Sequence, residues 1–193
     1  MNYKDVSRER LIEIIEEKDK LIQDLKSIKT ELQYQAAMDC VTGVLNRRAG
    51  LEILEATINY ATRQGENFIL CFADIDDFKK INDEFGHNQG DKILTNIGNI
   101  FKENIRKTDT VFRFGGDEFV IIFPYSILEV AKSICSRINM KIHEMKEQDN
   151  SNYKIGLSYG FSEYNSNNNN NISAIELIRR ADEEMYGSKR LKK

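Results

Sequence analysis

Apolar residues recur at positions 11, 14, 21, 25, 28 and 32, a heptad series in which Lys18 and Gln35 are the polar exceptions. The spacing predicts a helical zipper over residues 1–38, and a polar residue in the seam favours a parallel dimer over a higher assembly. An amphipathic helix lying on its own domain is the other reading of the stripe. The polar surroundings (EEKDK, KSIKTE) and the lack of Pro or Gly favour the exposed rod. Thr42-Gly43 then interrupts the pattern, and Leu51, Leu54, Ile58 and Ala61 mark a second helix ending at Gln64-Gly65. The almost wholly apolar run Asn67–Ala73 (NFILCFA) reads as a buried central strand, and it leads into Asp74-Ile75-Asp76-Asp77.

Phe78, Ile81 and Phe85 give a short helix one inward face, with Gly86 as its C-cap. Ile93, Leu94, Ile97, Ile100 and Phe101 form the buried stripe of another helix from about Asp91. Later come a helix over Leu128–Met145, a strand over Tyr153–Phe161 and a loose polar loop over Asn165–Asn171. Ser173 and Glu176 make a capping box, with Ile172 and Leu177 as its staple, and Leu177, Ile178, Ala181 and Met185 form the inner face of the helix they open. The expected fold class is α/β, an α+β sandwich in which helices cover a mixed central sheet.

Val111–Phe123 (VFRFGGDEFVIIF) reads as a hairpin, because strand-like runs flank a Gly115-Gly116 pair able to supply the positive φ angles of a tight turn. A two-residue turn would set Phe114 opposite Asp117 and Arg113 opposite Glu118, and would send the two carboxylates to opposite faces. Adjacent acids beside apolar strands suggest a cation-binding edge; a solvated turn is the alternative.

At 193 residues the chain suffices for one domain with a real core plus a short extension. No apolar run approaches the roughly 20 residues of a membrane helix, and the start MNYKDVSRERL lacks an apolar signal region. Cys40, Cys71 and Cys135 fit neither a disulfide framework nor a metal knuckle, so a reducing cytoplasm is expected. The net charge of −3 conceals a basic end, Lys189, Arg190, Lys192 and Lys193, either a solvated tail or a phosphate-binding terminus.

A carboxylate at the end of a buried strand costs free energy unless paired or metal-bound, which singles out Asp74. If its strand pairs beside the hairpin, Asp74 and Asp117 lie at neighbouring strand ends and could clamp divalent cations for phosphoryl transfer. Asp76 and Asp77 have a plainer reading as acids complementing a helix dipole. Gly156-Leu157-Ser158-Tyr159-Gly160 matches a nucleophile elbow, but strand-like residues follow where that motif needs a helix.

RFGGDEF resembles the signature of the GGDEF family, the diguanylate cyclases. Asp39–Arg48 (DCVTGVLNRR) is similar to the family's opening D-x-L-T-G-L-x-N-R-R, Phe72–Leu94 to its central block, and Ala181-Asp182 with Tyr186–Lys189 to its closing block. The resemblance spans 39–193 and implies a fold similar to nucleotide cyclases and polymerase palms. It also implies condensation of two GTP into cyclic di-GMP between paired domains, hence a homodimer, with neither nucleic acid nor a membrane segment among its partners. On the same ground Asp74, Asp117 and the Ile75 carbonyl would hold Mg²⁺ or Mn²⁺, and Asp117 or Glu118 would assist deprotonation of the attacking hydroxyl. Asn82 and Asp91 would read guanine, His87 would lie at the nucleotide, and Lys79, Lys189 and the backbone around Phe78 would hold the triphosphate. An exposed helix position for Asn82 and a helix N-cap for Asp91 are the structural alternatives.

The family's closing K-x-x-G-R-N is replaced by Lys189-Arg190-Leu191-Lys192-Lys193. Lys193 stands at the arginine position without a bidentate fork, and Arg190 could substitute. Arg106-Lys107-Thr108-Asp109 ends six residues before Gly115, matching the family's R-x-x-D product-binding site. Its bland reading is a basic helix end followed by a turn. A degenerate domain that only binds nucleotide or a partner is the rival to the enzyme.

Overall fold

The computed structural model describes residues 7–148, 155–167 and 172–191. The chain divides into two units, Met1–Ala37 and Met38–Lys193. The first contains helix α1 (Arg8–Ala37), none of whose residues is buried. Its seam residues Leu21, Leu25, Ile28 and Leu32 are all more than half exposed.

The second unit runs α2 (Arg47–Gln64), β1 (Phe68–Ile75), α3 (Phe78–Phe85), α4 (His87–Asn104), β2 (Thr110–Gly115), β3 (Glu118–Pro124), α5 (Leu128–Gln148), β4 (Leu157–Tyr164) and α6 (Ala174–Leu191). The strand order is β2-β3-β1-β4. All three ladders are antiparallel, not mixed as expected; the parallel pairing that exists is an isolated bridge from Leu45 to Phe112. The expected layering of helices on a central sheet is present on both faces. Ile69, Cys71, Ala73 and Ile75 of β1 point into a core with α3, α4 and α5. Phe68, Leu70 and Phe72 point into a second core with α2 and α6. Burial on both faces explains why β1 is apolar from Phe68 to Ala73 rather than alternating.

Helix ends follow local chemistry. Asn46 Oδ1 accepts the Ala49 N–H at 3.0 Å to cap α2, and Gly65 closes it in a left-handed conformation. Gly86, at φ 83°, ends α3 and lets α4 restart at once, so α4 begins at His87 rather than near Asp91. Ser173 Oγ accepts the Glu176 N–H at 3.2 Å, but the Glu176 carboxylate pairs with Arg179 and Arg180, so only half of the expected capping box forms. At the middle of β4, a Cβ on Gly160 would lie 2.2 Å from the Met185 nitrogen and 2.3 Å from the Ala181 carbonyl, so α6 crosses the sheet in backbone contact. Ser158 lies within this strand, which removes the nucleophile-elbow alternative. The expected strand start at Tyr153, and Asn168–Asn171 of the polar loop, lie outside the described residues.

Candidate active site

The hairpin differs from the expected register in a way that matters for the acids. Gly115 pairs with Glu118 and Arg113 with Phe119, with a shift between Arg113 and Gly115, so Phe114 is the extra residue and Gly116-Asp117 form the tip. Neither Gly115 nor Gly116 has positive φ. The tip is held from outside instead: Arg113 donates through Nε and Nη2 to the Gly116 carbonyl at 3.0 and 2.7 Å. Gly115 is small for a different reason, since a Cβ there would lie 2.7 Å from Glu118 Oε2.

Asp74 pairs directly with Glu118 across β1 and β3, and the Ile75 N–H donates to the Asp117 carbonyl at 3.2 Å. The end of β1 and the hairpin tip therefore bring Asp74, Ile75, Asp117 and Glu118 together. Burial raises the Asp74 carboxyl above its ordinary range; Asp117 and Asp76 push the same way, and the Lys189 ammonium opposes them. Burial likewise raises Glu118, reinforced by Asp117, Asp74 and Asp182. Carboxylate oxygens are hard ligands of the kind that suits Mg²⁺ or Mn²⁺. Among the described residues no group of three or more His, Cys, Asp and Glu is placed to hold a metal ion.

Asp76 and Ser158 were not singled out from sequence as site residues. Asp76 leaves the helix-dipole role to Asp77 at the N-cap of α3 and turns into the site. There its Oδ1 accepts from Ser158 Oγ at 2.6 Å and lies 3.6 Å from Lys189 Nζ. Its parity with Asp74 along the chain was the available signal.

The nucleotide-side residues lie on α3 and α4. Asn82 Oδ1 is buried without a hydrogen-bond partner and faces Gly90, where a Cβ would come within 1.9 Å of it. The oxygen is thus a buried acceptor without a donor, and the glycine leaves it room. Phe78 is buried nearby, while Lys79, His87 and Asp91 are exposed. Lys189, on α6, donates to Asp74 Oδ1 at 2.5 Å. Arg190 is on the last turn of α6, and Lys193 lies outside the described residues. Arg106 and Asp109 share the turn between α4 and β2. The Arg106 N–H donates to Asp109 Oδ2 at 2.9 Å, and the Arg106 side chain is exposed.

Carboxylates gather at the ends of adjacent antiparallel strands in an α/β domain, and Asn82 on α3 carries an unpaired amide oxygen. The family model described as "Diguanylate cyclase, GGDEF domain" matches residues 36–193. The chain belongs to this family. It is 32% identical over 195 residues to diguanylate cyclase DosC of Escherichia coli, covering 98% of this chain and 41% of DosC. With diguanylate cyclase DgcP of Pseudomonas aeruginosa it shares 33% over 189 residues, covering 94% of this chain and 27% of that protein. The chain thus spans less than half the length of these relatives. Among solved structures it resembles the coiled coil and GGDEF domain of DgcB from Caulobacter crescentus in complex with c-di-GMP, with TM-score 0.77, 25% identity, and coverage of 93% and 94%. It also resembles the active GGEEF domain of a diguanylate cyclase from Vibrio cholerae, with TM-score 0.67, 30% identity, and coverage of 76% and 91%.

Proposed function

We propose that the protein is a diguanylate cyclase that condenses two GTP into cyclic di-GMP and two pyrophosphates. The observation that carries this is the direct pairing of Asp74 with Glu118 beside the Asp117 tip, in a domain of this family. Each 3′-oxygen forms a bond to the α-phosphorus of the opposite nucleotide, the bond from that phosphorus to its bridging oxygen breaks, and pyrophosphate leaves. Glu118, its proton affinity raised by burial and acidic neighbours, takes the hydroxyl proton with Asp117 beside it. Asp74, Asp117 and the Ile75 carbonyl would hold Mg²⁺ or Mn²⁺, which supplies charge neutralisation at the phosphates when bound.

Asn82 Oδ1 and the Asp91 carboxylate accept from the guanine N1–H and N2–H₂ groups, which adenine lacks, with His87 at the nucleotide. Lys79, Lys189, Arg190, Lys193 and the backbone at Phe78 hold the triphosphate. Because each domain presents one nucleotide, the active species is a homodimer, assembled through the exposed heptad face of α1. Product binds at Arg106 and Asp109 and inhibits; relatives of this domain have been solved with c-di-GMP bound.

The test is incubation of the purified protein with GTP and Mg²⁺, followed by chromatography for the cyclic dinucleotide. Product is expected; none from protein at concentrations where it dimerises would overturn the reading in favour of a binding-only domain.

A further inference from the structure

Lys189 places its ammonium 2.5 Å from Asp74 Oδ1 and 3.6 Å from Asp76 Oδ1, with its side chain 31% exposed and that of Asp74 21%. Asp76 is itself fixed by Ser158 Oγ at 2.6 Å. Burial works against the ammonium's charge, but the hydrogen bond and charge of Asp74, together with Asp76, outweigh it and raise its proton affinity. The acids thus have a cation of their own, supplied by the end of α6.

The ammonium engages only one Asp74 oxygen, so it does not block coordination, but it weakens it by repulsion: two cations on that carboxylate would lie ~4 Å apart in a partly shielded site. Phosphate oxygens make charge-assisted bonds as good as a carboxylate's and can draw the ammonium away.

We propose that Lys189 is the resident counter-ion of Asp74, so that a divalent cation binds this carboxylate more tightly once the ammonium is drawn away by a polyanionic ligand. The inference rests on the reading of Asp74 as a metal carboxylate. It gives Lys189 two opposite effects: it opposes bare metal and favours metal arriving with polyphosphate. Metal and nucleotide are thereby coupled through one side chain. The competing cation is covalently part of the chain, so its local concentration is fixed and does not dilute.

The experiment measures binding of Mn²⁺ alone to the full chain, without nucleotide, from the electron paramagnetic resonance signal of free Mn²⁺. Lys189→Met keeps the apolar stem and removes the charge; it should bind Mn²⁺ about three- to tenfold more tightly than wild type, although a phosphate-holding residue has been lost. Lys189→Arg retains the charge and should stay near the wild-type value. Adding Asp74→Asn to the Met variant should erase the gain. Mn²⁺ binding unchanged or weakened in folded Lys189→Met, or a gain that survives Asp74→Asn, overturns the proposal. Lys189→Gln makes the same comparison if the Met variant does not fold. Wild-type turnover of GTP is followed in parallel: its absence would overturn the cyclase reading, while the Mn²⁺ comparison would still decide the role of Lys189.

Discussion

Arg113 donates through Nη1 to both carboxylate oxygens of Asp39, at 3.1 and 3.3 Å, while its Nε and Nη2 grip the Gly116 carbonyl. The pair is 17% and 19% exposed, and Thr42 donates to Asp39 through both its N–H and its hydroxyl. Burial alone would raise Asp39, but these donors and the guanidinium hold it below the usual carboxylate range. One planar fork thus fastens the loop after α1 to the peptide before Asp117. Lysine cannot make both sets of contacts. Arg113→Lys should slow cyclic di-GMP formation by about ten- to a hundredfold through misplacement of Asp117, with little change in the GTP KM. Initial rates over a GTP series check this; a change confined to KM would contradict the positioning role.

Asp74 yields a prediction in which stability and activity part. Its folded-state pKa is raised above its ordinary 3.8, so its ionisation opposes folding. The stability this group contributes is present below that value and is lost as pH rises through the raised one. Asp74→Asn never ionises. The variant should form no product, yet at pH 7 it should melt no lower than wild type, with any advantage shrinking as the pH falls toward 4. Melting curves at several pH values test the sign.

Gly90→Ala would drive a methyl group into Asn82 Oδ1. The amide must turn away, and the acceptor facing the base is lost. GTP binding should weaken by about ten- to a hundredfold, as expected for one lost buried hydrogen bond of about 1 to 3 kcal/mol. Calorimetric titration with a non-reactive GTP analogue measures this. The same pairing logic predicts that wild type prefers GTP to ATP by roughly tens-fold or more.

Arg106→Ala should leave the initial rate near wild type while product accumulates further before the progress curve flattens. The exposed Arg106 fork is free to meet a guanine O6/N7 edge. Asp109 is 9% exposed and its Oδ2 already accepts from the Arg106 N–H, which preorders the turn. Equal plateaus under excess GTP would rule the inhibitory site out.

Removal of residues 1–35 should make the rate depend more steeply on protein concentration, because half-sites would then meet without the α1 seam. A rate profile that stays the same would show the seam to be dispensable.

Much of the second unit was legible because its elements obey simple periodicities: the apolar run of β1, the 3.6-residue stripes of α2, α4 and α6, and the Gly65 and Gly86 stops. The sheet came out antiparallel rather than mixed because strand direction depends on crossovers that local pattern does not encode. The hairpin register was misread at one residue. Phe114 packs with Phe72 and Phe112 against the α2–α6 core and is the extra residue of the bulge that moves the turn to Gly116-Asp117. The pairing of Asp76 with Ser158 was invisible for a related reason: Ser158 reaches the site through the β1–β4 ladder, across 82 residues of chain.

Gly160 ties these observations to the behaviour of α6. Because the helix backbone rests directly on β4, the sheet acts as a bed plate and α6 as an arm bolted to it, with Lys189 near its far end. A side chain at position 160 would act as a shim under the arm, tilting its far end and carrying the ammonium off Asp74, which stays on its own strand. The smallest residue of the strand thus sets the reach of a charge that stands 29 residues further along the chain.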